Sequence, residues 1–247
     1  MIATLPLMLG LAASAATLTG GFATLGLRGR LSLILGLSAG IVIGVAALEL
    51  FPEALELSRS LHRRWLAWVA VVAGLCGYIA LSRLLAALPR WGPRLRGHVA
   101  PAGLTLHSFV DGCGIGLAFQ LSPEVGWGVA IAILSHDVAD GVNIVGLSLA
   151  SHDRIVARYW LLLNGLAPIA GVVAGQMFRI PPLLLAALLA ALAGAFFAIG
   201  GLELLPRSFR STSRILALSS ALVGFALIFL ITQRGGSTPS GWLTFFA

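Results

Sequence analysis

Residues 99–120 read VAPAGLTLHSFVDGCGIGLAFQ, and residues 125–150 read VGWGVAIAILSHDVADGVNIVGLSLA. Each run is long and apolar enough to cross a bilayer core, which takes about 20 residues of helix. Each also carries the same six-residue pattern, His107-Ser108-Phe109-Val110-Asp111-Gly112 in the first and His136-Asp137-Val138-Ala139-Asp140-Gly141 in the second. Helix positions i and i+4 lie one turn apart on one face. Each copy therefore aims an imidazole and a carboxylate at one spot. An Asp at mid-bilayer costs about 2.5–3.5 kcal/mol on insertion scales, so such residues read as functional. Two helices of this kind side by side supply two nitrogens and two carboxylates, enough to hold a divalent cation.

The rest of the chain fits a membrane setting. Its 247 residues are 58% apolar and only 10% charged, with mean hydropathy +0.98. Soluble domains carry about 25% charged residues. The net charge of +7 resides in arginines placed in short gaps between apolar runs, which does not describe a nucleic-acid surface. Cys76 and Cys113 both lie inside apolar runs, so neither a disulfide framework nor a thiolate metal site is indicated. The N-terminal run lacks a basic leader and continues to Leu27, and reads as a first span rather than a signal peptide.

Eight spans emerge, at roughly 4–27, 31–55, 65–88, 99–120, 125–150, 158–178, 181–205 and 213–233. They define an all-α polytopic membrane protein with one transmembrane domain over residues 1–233. Residues 89–98 (PRWGPRLRGH) read as the one notable loop, and 234–247 as a short tail with an aromatic interfacial end. Eleven arginines (Arg28, Arg30, Arg83, Arg90, Arg94, Arg96, Arg154, Arg158, Arg207, Arg210, Arg214) fall on one side. Five (Arg59, Arg63, Arg64, Arg179, Arg234) fall on the other. The positive-inside rule puts the richer side in the cytoplasm and both termini outside, as in an inner, plasma membrane protein.

A second repeat flanks the central pair. Span 2 ends Leu48-Glu49-Leu50-Phe51-Pro52, and span 7 ends Leu202-Glu203-Leu204-Leu205-Pro206. The two spans run in opposite directions under this topology. Related segments of opposite sense mark inverted-repeat transporters, whose substrate site lies near the midplane. The plan is 3+2+3: spans 1–3, a central ligand-bearing pair, and inverted spans 6–8.

His107, Asp111, His136 and Asp140 are the expected metal ligands. Imidazole with carboxylate suits zinc first, then iron, manganese, cobalt or cadmium. Ser108 and Asp137, one residue after each His, could form a secondary site bridged by Asp111 and Asp140. Glu49 and Glu203 read as relay carboxylates on the transport route. Asn143 and Asn164 line that route or bond helix to helix. Gly112 and Gly141 allow close helix packing. Glu53, Glu56, Glu124 and Asp153 read as solvated connector residues, and His62, His98 and His152 as surface histidines.

The paired motifs, their spacing and the eight-span plan resemble the ZIP family of divalent-metal transporters. That family's fourth span commonly reads H-N-x-P-E-G and its fifth H-x-x-P-E-G. His107, Asp111 and Gly112 match the first, and His136, Asp140 and Gly141 the second. The resemblance implies a 3+2+3 bundle, often homodimeric, that moves metal toward the cytoplasm by alternating access. Several departures stand out. Both motif glutamates are aspartates, and both motif prolines are replaced, by Val110 and Ala139. Ser108 stands for the usual Asn, and Pro168 stands where the family carries an acidic ligand in span 6.

The expected function is transport of a divalent cation, with no catalytic residues and no permanently bound cofactor. Its partners are the metal ion, the lipid bilayer and a second copy of the chain. Because the ligands must be deprotonated to bind metal, uptake should fall at acid pH. An intramembrane zinc hydrolase is the alternative, with Asp137 as its one candidate base, but it leaves the LELxP repeat unexplained. A transport-inactive metal sensor is the third reading.

Overall fold

The computed structural model describes residues 3–26, 31–88, 92–120, 123–178, 181–210 and 213–234. Among them every regular element is helical. The helices are α1 (Thr4–Gly26), α2 (Leu31–Val45), α3 (Phe51–Ser60), α4 (Trp65–Ala87) and α5 (Gly92–Ala118). They continue with α6 (Pro123–Leu149), α7 (Arg154–Met177), α8 (Pro182–Ala198), α9 (Leu205–Ser208) and α10 (Arg214–Arg234). Wide π-helical turns, Ala46–Leu50 and Ile199–Leu204, fuse α2 to α3 and α8 to α9, giving eight continuous rods. Seven of these are long and apolar enough to cross a membrane. The eighth, α5, has the length, but it carries Arg94, Arg96, His98 and the polar site residues. The chain is an integral membrane protein.

Each wide turn precedes a proline, Pro52 or Pro206. Proline has no N–H to return to the carbonyl four residues back, so an α-register would leave that oxygen unpaired. The chain widens instead: the Phe51 N–H donates to the Ala46 carbonyl and the Leu205 N–H to the Gly200 carbonyl, each five residues back. The LEL(F/L)P repeat is thus also a repeated conformation, and Glu49 and Glu203 both sit inside it.

The main packing partners are α1 with α6, α5 with α7, α2 with α10, and α4 with α8. Exchanging α1, α2–α3 and α4 with α7, α8–α9 and α10, and α5 with α6, maps these four interfaces onto one another. Close backbone approach marks all four, through Gly40 and Gly224 between α2 and α10, Gly74 and Gly194 between α4 and α8, and the motif glycines at the other two. A methyl on Gly112 would strike the Pro168 carbonyl of α7, and one on Gly141 would strike the Thr17 carbonyl of α1. The motif glycines therefore seat α5 and α6 against their outer neighbours. Large apolar side chains such as Val69, Val72 and Leu84 on α4 and Leu222, Val223 and Leu230 on α10 are exposed, as a lipid-facing surface requires.

Two sequence expectations change. Residues 92–98 are helix rather than loop. Pro93 occupies the first turn, where its missing N–H is no loss. The turn is tied down by Arg96 Nε donating to Ser82 Oγ at 2.8 Å and Trp160 Nε1 donating to His98 Nδ1 at 2.9 Å. The connector after span 2 is also helical, to Ser60, so Glu53 and Glu56 extend that span. Asp153 caps α7, accepting from the Val156 N–H at 3.0 Å. The tail from 235 onward lies outside the described residues.

Candidate metal site

α5 and α6 run through the interior and face each other with their HxxxD stripes. His107 and Asp140 side chains are 1% exposed, His136 6% and Asp111 10%. One ligand atom from each of the four lies within 4.8 Å of every other. His107 Nε2 is 3.3 Å from Asp111 Oδ2 and 4.0 Å from Asp140 Oδ2, and His136 Nε2 is 3.4 Å from Asp111 Oδ2. The two imidazole rings lie nearly parallel, 14° apart, with centroids 5.9 Å apart. Zinc bonds of about 2.0–2.1 Å in tetrahedral geometry set neighbouring donors about 3.3 Å apart. The Asp111 contacts already have that spacing, and Asp140 needs only a small inward shift. Neither Asp140 oxygen has a hydrogen-bond donor among the described residues. A buried carboxylate left this way is costly, and a cation between the four donors would compensate it.

Glu49 is brought further into the site than its place near a span end suggested. Its Oε2 lies 3.2 Å from His136 Nδ1, so His136 is held between two carboxylates. Among the described residues His107 has no matching partner; Phe196 meets its ring edge-on, with centroids 5.3 Å apart.

The secondary residues divide. Asp137 is fully buried, lacks a hydrogen-bond partner among the described residues, and lies within electrostatic reach of His136, Asp111 and Glu49. Ser108 is committed elsewhere, its hydroxyl 3.3 Å from the Leu104 carbonyl and 3.4 Å from Asn164 Oδ1. Asn164 thus bonds helix to helix, whereas Asn143 is buried with both amide atoms unpartnered among the described residues. Glu203 is remote from the four donors. It is 3.7 Å from Arg96, 3.6 Å from Arg207 and 3.4 Å from Ser82 Oγ.

Sequence reasoning passed over two features. Glu53, one turn past Glu49, interacts electrostatically with Asp111, Glu49, His136 and Glu56. Its position at i+4 was the available signal. His98 and His152 stack with centroids 4.2 Å apart, a pairing across α5 and the α6–α7 connection that no local pattern announces.

Comparison with known proteins bears on this arrangement. The profile of the family described as ZIP Zinc transporter matches residues 90–232, which include both HxxxD helices. The zinc transporter ZupT of Salmonella arizonae is 29% identical over 223 residues, covering 81% of this chain and 85% of the relative. ZupT of Salmonella newport and of Salmonella heidelberg are each 30% identical over the same shares. With its paired histidines and aspartates gathered on the two central helices, the chain belongs to the ZIP zinc transporter family.

Proposed function

We propose that this protein carries divalent cations, zinc foremost, across the membrane toward the cytoplasm. His107, Asp111, His136 and Asp140 hold the ion at the midplane. The observation that carries the reading is the gathering of these four donors within 4.8 Å of one another, on two buried helices in a chain of this family. The ion sheds part of its water and gains two imidazole nitrogens and two carboxylates, which neutralise its charge. Zinc tolerates varied geometry, which suits a site that must also release its ion. Asp137, with Asp111 and Asp140 as bridges, offers a second and weaker position, and Ser108 contributes less because it is bonded to Asn164.

The transport cycle follows from the 3+2+3 plan. The exchange that relates the four helix interfaces supports two inverted repeats around α5 and α6. Rocking one repeat against the other would open the site to each face in turn. The arginine-rich face is the cytoplasmic one by charge bias, and both termini then lie outside. The paired wide turns at Glu49 and Glu203 are the stretches best placed to line the two half-routes.

Metal-resolved uptake into proteoliposomes tests the reading, with zinc, cadmium, iron and manganese in competition. Zinc flux should saturate and should disappear in Asp140→Ala. Failure of every divalent ion to move through folded protein would reject transport and favour a sensor.

A further inference from the structure

Helices α3 and α9 follow the same wide turn and the same proline, yet they carry opposite charge. After Glu49, the positions four and seven residues on are Glu53 and Glu56; after Glu203, they are Arg207 and Arg210. The environments differ accordingly. Glu53 lies in electrostatic contact with Glu49, Glu56 and the site residues Asp111 and His136. Glu56 interacts with Arg59, one turn further out on the same helix. On the other arm, Arg96 and Arg207 close on Glu203. Together with Arg210 they line a cavity of about 400 Å³, which also borders Ser151 and Leu202. Arg207 Nη1 additionally donates to Ser151 Oγ at 2.8 Å. Three guanidinium groups thus stand against one carboxylate at this mouth, whereas the related arm presents carboxylates at both positions and sets Glu49, Glu53 and Glu56 against Arg59, Arg63 and Arg64 at and beyond its outer end.

We propose that Arg96, Arg207 and Arg210 form an electrostatic barrier that sets the direction of ion admission, so that a divalent cation enters far more readily through the Glu53 mouth. The proposal rests on the transport reading above. Charge lining a mouth changes the local concentration of a permeant ion, and a divalent ion feels twice the potential of a monovalent one. A cation approaching the α9 mouth meets net positive charge, and Glu203 is already occupied by two tethered cations. At the α3 mouth it meets acceptors in line with the site. The barrier is indifferent to which face is cytoplasmic, because it is defined by the two arms themselves.

The experiment measures initial zinc flux into and out of proteoliposomes whose orientation is scored by one-sided cleavage of a C-terminal tag. In the parent protein the KM for zinc should be about tenfold higher from the α9 mouth than from the α3 mouth at low salt. Raising the ionic strength should narrow that ratio, since screening shortens to about 3 Å at 1 M. Arg210→Glu, at an exposed position, should lower the α9-side KM several-fold, and Arg207→Glu combined with it should lower it further. The α3-side KM reports whether each variant has folded and bound zinc normally. Equal KM values from both mouths in the parent, or an unchanged α9-side KM in folded Arg210→Glu, overturn the barrier while leaving transport intact. Absence of flux in the parent overturns the transport reading, and the barrier with it.

Discussion

Glu49 Oε2 lies 3.2 Å from His136 Nδ1, on the side of the ring away from the Asp111 contact at Nε2. A carboxylate behind a metal-binding histidine fixes the ring's orientation and tautomer, leaving the far nitrogen free to bind. Losing such a partner typically costs 10–100-fold in affinity. Glu49→Ala should therefore weaken zinc binding by about 10- to 100-fold, and Glu49→Gln, which keeps an acceptor oxygen, should weaken it less. Titration of detergent-purified protein against a competing chelator measures both. X-ray absorption should show the same ligand count in the parent and in Glu49→Gln. Loss of one oxygen ligand would instead make Glu49 a direct ligand.

Asp111 is the carboxylate that meets both imidazoles, at 3.3 Å and 3.4 Å, whereas Asp140 is 4.0 Å from His107. Removing Asp111 leaves the two Nε2 atoms without the acceptor they share. Asp111→Ala should abolish zinc uptake and reduce binding more than Asp140→Ala does. A larger loss of affinity from Asp140→Ala than from Asp111→Ala, measured by chelator competition, would mean that the ion sits off-centre toward Asp140.

The legible part of this molecule is what periodicity and bilayer thickness dictate. The i, i+4 spacing placed four donors on two facing stripes, and the helices end within a few residues of the apolar runs except around Gly92 and Ser60. Rotation about the helix axis was less legible. Glu49 read as a residue near the water end of its span, but the wide turn before Pro52 adds a residue and carries it to His136. Nor could composition reveal the first turns of α5. PRWGPRLRGH has the content of a loop, and the helical form of residues 92–98 depends on Ser82, Glu203 and Trp160, all outside this stretch. The motif glycines were legible as packing residues, though not as contacts to α7 and α1 rather than to each other.

Gly112 and Gly141 are equivalent under the repeat exchange, and each faces a carbonyl of a neighbouring helix. An added methyl has backbone, not a flexible side chain, in its way. Overpacking of this kind costs about 1–3 kcal/mol. Gly112→Ala should lower the thermal midpoint in detergent by about 2–4 °C per kcal/mol lost, and Gly141→Ala should do the same. Because these helices carry the four proposed ligands, zinc affinity should drop alongside. Gly128, which has open space where a Cβ would project, is the control, and Gly128→Ala should leave the midpoint unchanged.

α3 ends in a turn that holds His62 at a φ of 56°. The His62 N–H donates to the Arg59 carbonyl at 2.9 Å and the Arg63 N–H to the Ser58 carbonyl at 2.8 Å, the paired bonds of a Schellman cap. Glycine usually fills this left-handed position, because a Cβ there meets the carbonyl oxygen that follows, at a cost of roughly 1–2 kcal/mol. His62→Gly relieves that clash while adding some freedom to the unfolded chain. The net effect should be stabilisation of about 0.5–1 kcal/mol, read as a raised thermal midpoint. His62 is exposed and lies beyond Glu56 on the same arm, so zinc uptake should be unchanged in this variant. A loss of uptake with a raised midpoint would show instead that the imidazole takes part in capturing the ion at the α3 mouth.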